Sequence, residues 1–310
     1  MRPRVPGKGL AQALARPGAA PGIAGARWRV LLGRAVSLRD AVGLIGIGYL
    51  ISGVLPLRAG DPARAVGAGL RGTISALGAL STVVVERVLD MLLIVLSLLA
   101  TVPFVPGLQT YLATGQINDF LSYNLILTLS GILAVGILVL FVLIAVFPKT
   151  TESLARRVLE LFPISNVDRW LKPVQSVVQG LSALRSIRDG LEIGAWSVAL
   201  WAVTGLYFGT TLQACRAFIP DPSVLKSLVA VWSSAFGMVF PATGGIGSFH
   251  FAVREALFWG FDIARDLGFT YAVIVHAIPY LTGIALGALT LLLWGMSPGK
   301  LISRGQDIEA

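Results

Sequence analysis

Three apolar runs constrain the chain most. Tyr123–Phe147, Gly190–Cys215 and Tyr271–Gly295 each exceed the roughly 20 residues an α-helix needs to cross a hydrocarbon core. Lipid offers no hydrogen-bond partners to the backbone, so a spanning chain must be helical or a closed barrel. A barrel reads as short alternating segments, whereas these runs are continuous and rich in Leu, Val, Ile and Ala. Composition agrees, with 55% hydrophobic and 13% charged residues against about 25% charged in soluble domains. The predicted fold class is all-α, a polytopic integral membrane helical bundle.

Three further apolar segments are shorter or interrupted: Ala41–Leu57, Val83–Gly107 and Ser227–Phe240. The first and third of these stop at a proline followed by glycines, in "PLRAGDP" and "PATGGIG".

Charge sets the orientation. The loop 109–122 carries no Lys or Arg, while 148–189 carries Lys149, Arg156, Arg157, Arg169, Lys172, Arg185 and Arg188. Basic loops stay cytoplasmic. Both termini and the 148–189 loop are therefore expected on the cytoplasmic side of the inner (plasma) membrane. The formal net charge of +9 then marks loops beside anionic headgroups, with no nucleic-acid partner implied. Within the loop, Trp170, Leu171, Val174, Val177, Val178, Leu181 and Leu184 recur at helical spacing, which predicts an amphipathic helix on the inner leaflet. Residues 1–26 are basic and rich in Pro, Gly and Ala, without the apolar stretch of a signal peptide. They are expected to be poorly ordered, ahead of a transmembrane domain over 27–295 and a cytoplasmic tail over 296–310. The lone Cys215 leaves no internal disulfide, and two histidines with one cysteine make neither a metal site nor a cofactor site.

With these orientations, residues 41–82 must enter the membrane and return, and 224–262 must do so from the opposite side. The result is two re-entrant or broken helical hairpins of opposite orientation. Their turns, "VLPLRAGDPARA" at 54–65 and "VFPATGGIGSFH" at 239–250, each place a glycine four residues after a proline. An inverted repeat with interrupted helices is a transporter design. Pro56, Gly60, Pro241, Gly244, Gly245 and Gly247 are the expected helix breaks.

Three ionisable clusters lie in or beside apolar sequence. The first is Arg58, Asp61, Arg64 and Arg71, with Asp61, Arg64 and Arg71 on one face of a helix starting near Asp61. The second is Glu86, Arg87 and Asp90, drawn into the membrane because Met91–Val105 alone is too short to span. At about 2.5–3.5 kcal/mol per unpaired charge at the centre of a membrane helix, these groups need partners. Glu86 and Asp90 share a face, and Arg58, Arg64 and Arg71 are the candidate counter-charges. The third is His250, Arg254 and Glu255, after a break whose free N–H groups suit an anion. His276 sits mid-span and reads as a polar contact between helices or as a proton relay.

"RWRVLL" at 27–32, "GDPARA" at 60–65, "ERVLD" at 86–90 and "PATGGIGSFH" at 241–250 together resemble the lysylphosphatidylglycerol synthetase transmembrane, flippase-like family, over about residues 27–295. The resemblance implies a membrane domain that moves lysyl-phosphatidylglycerol or related isoprenoid and polar lipids between leaflets. By position, Gly60, Asp61 and Arg64 match its Gly-acid-x-x-Arg element, and Glu86, Arg87 and Asp90 its Glu-Arg-x-x-Asp element. Three departures stand out: the helices that usually precede "RWR", a carboxylate where His250 stands, and the soluble aminoacyl-transferring domain.

The expected function is a flippase-like protein that binds a lipid with an anionic or isoprenoid phosphate headgroup in a polar groove. An alternative is a membrane component of lipid modification working with a separate lipid-biosynthesis enzyme. A third reading, a lipid-modifying enzyme, finds neither a GxSxG nucleophile nor paired metal ligands in the sequence.

Overall fold

The computed structural model describes residues 19–55, 58–114, 146–162, 166–180, 186–240 and 242–296, with scattered positions of 132–144. The expected breaks Pro56 and Pro241, most of Tyr123–Phe147, and the 297–310 tail lie outside the described residues.

The described residues form eleven α-helices and no strand. In chain order these are α1 (Ala19–Leu31), α2 (Leu38–Val54), α3 (Gly60–Arg71), α4 (Ala76–Thr101), α5 (Pro106–Thr114), α6 (Pro148–Glu160), α7 (Val167–Gly180), α8 (Ile187–Ala214), α9 (Val224–Gly237), α10 (Ser248–Phe261) and α11 (Arg265–Trp294). Short 3₁₀ turns cover Val102–Phe104 and Thr243–Gly245. α8 and α11 are long and apolar enough to cross a membrane. α4 has 26 residues but carries Glu86, Arg87 and Asp90 in its middle.

Local sequence fixes the helix starts. Ser37, Ser75, Ser186 and Ser223 each cap a helix by accepting the backbone N–H three residues on, which satisfies a donor the helix cannot use itself. α11 ends at Gly295 in the left-handed region, the usual glycine stop.

Residues 19–26, expected to be poorly ordered, instead form the first two turns of α1. The last turn of α1 anchors them: Trp28 is fully buried and donates to Thr82 Oγ1 at 3.0 Å. Burial of an indole with its N–H satisfied fixes the whole segment.

Two of the three buried apolar clusters among the described residues organise the bundle. One gathers Trp28, Leu44, Ile47, Ala68, Val85 and Ile193 around α1 to α4. The other gathers Tyr207, Leu212, Phe249, Leu257, Tyr271 and Val275 around α8 to α11. α2 and α11 pack against each other and join the two. Small residues allow this: a Cβ on Gly287 would collide with the Gly46 carbonyl oxygen, and one on Gly283 would crowd Tyr49. Close backbone approach at small residues is the common way helices associate where no hydrophobic force drives them together.

α2–α3 and α9–α10 are the expected helical pairs. Within the first, a Cβ on Gly60 would overlap the Gly48 carbonyl; within the second, one on Gly237 would press on Ser248 and Phe249. In α7, Leu171 and Val178 are buried and the helix packs on α4, with Trp170 outside.

Candidate functional site: a buried charge network

The site is assembled by α1, α3 and α4. Arg27 on α1 is 1% exposed and donates to Glu86 Oε1 at 2.6 Å and to Asp90 Oδ1 at 2.6 Å and Oδ2 at 3.1 Å. Arg64 on α3 donates to the other Glu86 oxygen at 2.7 Å and lies 3.3 Å from Asp61. Arg87 closes the circuit, 2.9 Å from Asp61 and 3.8 Å from Asp90. Three arginines thus meet three carboxylates. Trp201 from α8 donates to Asp90 at 3.2 Å, and the Arg64 guanidinium sits 4.7 Å over the Trp28 ring.

Helical spacing explains the convergence. Glu86 and Asp90 are one turn apart on the same face of α4, as are Asp61 and Arg64 on α3. Buried ions are tolerated only when paired and hydrogen-bonded, and each acid here has at least two cationic neighbours. The network is graded in exposure. The Arg64 and Glu86 side chains are 3% and 4% exposed, while Arg87 is 43% exposed. Nε of Arg27 and Nε of Arg64 are buried without a hydrogen-bond partner.

Of the proposed counter-charges, only Arg64 reaches the acids. Arg71 is corrected: at the exposed end of α3 it lies 3.9 Å from Asp40 and 3.8 Å over the Trp294 ring. Two turns of helix carry it past the acids. Arg58 is also corrected. It adopts a positive φ and donates to the Met238 carbonyl at 2.7 Å, although Asp61, Arg87 and Asp90 are within electrostatic reach.

The third cluster stands apart from this network. Arg254 donates to Glu255 at 2.8 Å, and Glu255 also accepts from Arg265 and Trp259. His250 turns the other way, accepting the Gly247 N–H at 3.2 Å and meeting His276 at 3.4 Å. Gly244, Gly245 and Gly247 all have positive φ, which side chains with a Cβ disfavour. Tyr280 stands over Gly244 and donates to the Gly53 carbonyl at 2.9 Å, so the loops after α2 and α9 meet at α11.

Arg27, Trp28, Trp201 and Ser197, whose hydroxyl accepts from Arg27 at 3.4 Å, are the site residues that sequence reasoning missed. Arg27 had a signal, since it opens "RWRVLL", but its neighbours in the chain hold no acid to pair with. Trp201 had none.

The described residues are all helical, and two of the helices are long and apolar enough to cross a membrane; with the family match that follows, they define a membrane protein. A family model described as the lysylphosphatidylglycerol synthase TM region matches residues 10–287, and the chain belongs to that family. No curated protein and no solved structure matches it.

Proposed function

We propose that this protein is flippase-like: it binds the polar headgroup of a membrane lipid, with an anionic or isoprenoid phosphate, and passes it between leaflets of the cell's inner membrane. The observation that carries this reading is the Arg27–Arg64–Arg87 network with Asp61, Glu86 and Asp90. In this chain Arg27, Arg64 and Glu86 are buried and Asp61 and Asp90 are partly so, and ionisable groups held inside a membrane protein mark a functional site by default. The partly exposed Arg87 is where a phosphate would first be received. The unpartnered Nε donors of Arg27 and Arg64 are spare hydrogen-bonding capacity deeper in. A phosphate is an arginine ligand as good as a carboxylate, so headgroup and acids compete for the same guanidinium groups.

The hairpins supply the path. α2 has 17 residues, α3 has 12, and α9 and α10 have 14 each. At about 1.5 Å per residue all fall short of a core about 30 Å thick. That supports hairpins re-entering from opposite faces, related as an inverted repeat, with both termini cytoplasmic. Arg254 and Glu255 are a secondary headgroup contact in this scheme, beside the tip of the second hairpin.

The test is reconstitution in liposomes with fluorescent phospholipids of several headgroups. Scrambling faster than in empty vesicles, lost in Arg64→Ala, is the expected result. Rates equal to empty vesicles for every headgroup would overturn the proposal. The family's description favours one second reading, a membrane component that works with a separate lipid-modifying enzyme. It predicts a stable co-purifying complex and no intrinsic scrambling.

A further inference from the structure

The chain has two histidines in 310 residues, and they meet. His250 Nε2 lies 3.4 Å from His276 Nδ1, although 26 residues separate them. The rings sit in an aromatic box: Phe249 stacks on His276 with centroids 4.3 Å apart, and Phe269 and Tyr280 flank the pair at 5.7 and 5.6 Å. Among the described residues neither ring hydrogen-bonds a carboxylate.

The hydrogen bonds fix the tautomers. Gly247 N–H donates to His250 Nδ1, so that nitrogen carries a lone pair and the neutral ring has its proton on Nε2. That Nε2–H then donates to His276 Nδ1, which leaves the His276 proton on Nε2. Only two lone pairs remain on the four ring nitrogens, and both are already accepting. An added proton must therefore take one of them. On His250 Nδ1 it removes the acceptor of Gly247 N–H at the start of α10. On His276 Nδ1 it sets two N–H groups against each other across the contact between α10 and α11.

We infer that His250 and His276 form a single proton-binding site that latches the tip of the second hairpin. Neutral, the pair ties the Gly247 turn and α10 to α11; protonated, it releases one of those ties. The neighbouring groups do not offset the change. Arg254, one turn further along α10, is held by Glu255, and its backbone packs on Gly268 of α11. From α11, the Tyr280 hydroxyl is committed to the Gly53 carbonyl of α2, and from the turn between α2 and α3 the Arg58 guanidinium is committed to the Met238 carbonyl at the end of α9. From α8, Tyr207 donates to the Val275 carbonyl. The latch is independent of what the groove carries, and protons are its ligand.

The experiment is ¹⁵N-histidine NMR of the full chain in nanodiscs, titrated from about pH 8 through the ordinary histidine range down to about pH 3, with amide exchange followed at Gly247. Two imidazoles give an assignable spectrum. The expected result is both rings as Nε2–H tautomers at high pH and one shared transition. In that transition Gly247 exchange, corrected for its intrinsic pH dependence, speeds up about fivefold, equivalent to about 1 kcal/mol for one lost hydrogen bond. His276→Gln should separate His250 from that transition. Two independent ring titrations, no titration above about pH 3, or Gly247 exchange indifferent to the transition would each overturn the inference. The wild-type titration decides it even where the variant fails to fold. No readout involves lipid movement, so this result and the scrambling assay fail separately.

Discussion

Arg58 Nη2 donates to the backbone carbonyl of Met238 at 2.7 Å, joining two helix-pair turns that lie 180 residues apart in the chain. A charged donor on a neutral carbonyl contributes about 1.5–3 kcal/mol. Arg58 reaches it from a left-handed backbone conformation that a non-glycine residue seldom adopts. Arg58→Ala is expected to lower the unfolding free energy in detergent by about 1–3 kcal/mol. Arg58→Lys should restore part of it. Unchanged stability in the alanine variant would mean the two turns are held together elsewhere.

Arg27 is the most consequential single cation. Its removal leaves Glu86 with only Arg64 and Asp90 with only the distant Arg87 and the Trp201 N–H. Breaking a buried pair from one side costs about 3–5 kcal/mol. Arg27→Met should therefore reduce folded protein severely, while Arg27→Met with Glu86→Gln recovers a measurable part. Chemical unfolding or yield of monodisperse protein reads this. A double variant no better than the single one would show that packing around Trp28, rather than charge, sets the cost.

Arg87 separates stability from function. Its side chain is 43% exposed, so solvent and headgroups screen its loss. Arg87→Ala is expected to cost under about 1 kcal/mol in stability yet to reduce lipid scrambling severalfold. Arg254→Ala should have the smaller effect on scrambling, because Arg254 is already held by Glu255. The opposite order in the liposome assay would move the headgroup path to the α10 side.

Gly287 tests the joint between the two cores. A Cβ there meets the Gly46 carbonyl and the Leu50 side chain. Gly287→Ala should destabilise by about 1–3 kcal/mol, the usual cost of forcing extra volume into a packed interior. Gly136 and Gly194, where an added Cβ meets nothing, provide controls. Melting temperatures of Gly287→Ala and Gly194→Ala that coincide would argue against the close α2–α11 approach.

Much of the architecture was readable from the chain because lipid leaves few alternatives. Unbroken apolar runs have to be helices, and the glycines at 244, 245 and 247 fall where regular helix stops. The acids of the site were readable too, since Glu86 and Asp90 cannot sit in an apolar helix unpaired. Their partners were not. Of the three arginines expected to serve them, one does, and the other two are turned to a carbonyl and to an indole face. The main partner, Arg27, opens the motif "RWRVLL" directly after the segment expected to be poorly ordered, with no acid nearby in the chain to point to its role.

The limit has a physical cause. Hydropathy, capping and helical period act over a few residues, so the sequence by itself determined an all-helical membrane chain, its short helix pairs and the residues whose charge must be neutralised. Which cation neutralises which acid depends on how α1, α3 and α4 come together across separations of 22 to 63 residues. The meeting of His250 with His276 likewise depends on α10 packing against α11. Those pairings were decided only by the tertiary structure, because a charge in a low-dielectric interior takes whatever opposite charge the packed helices bring within reach.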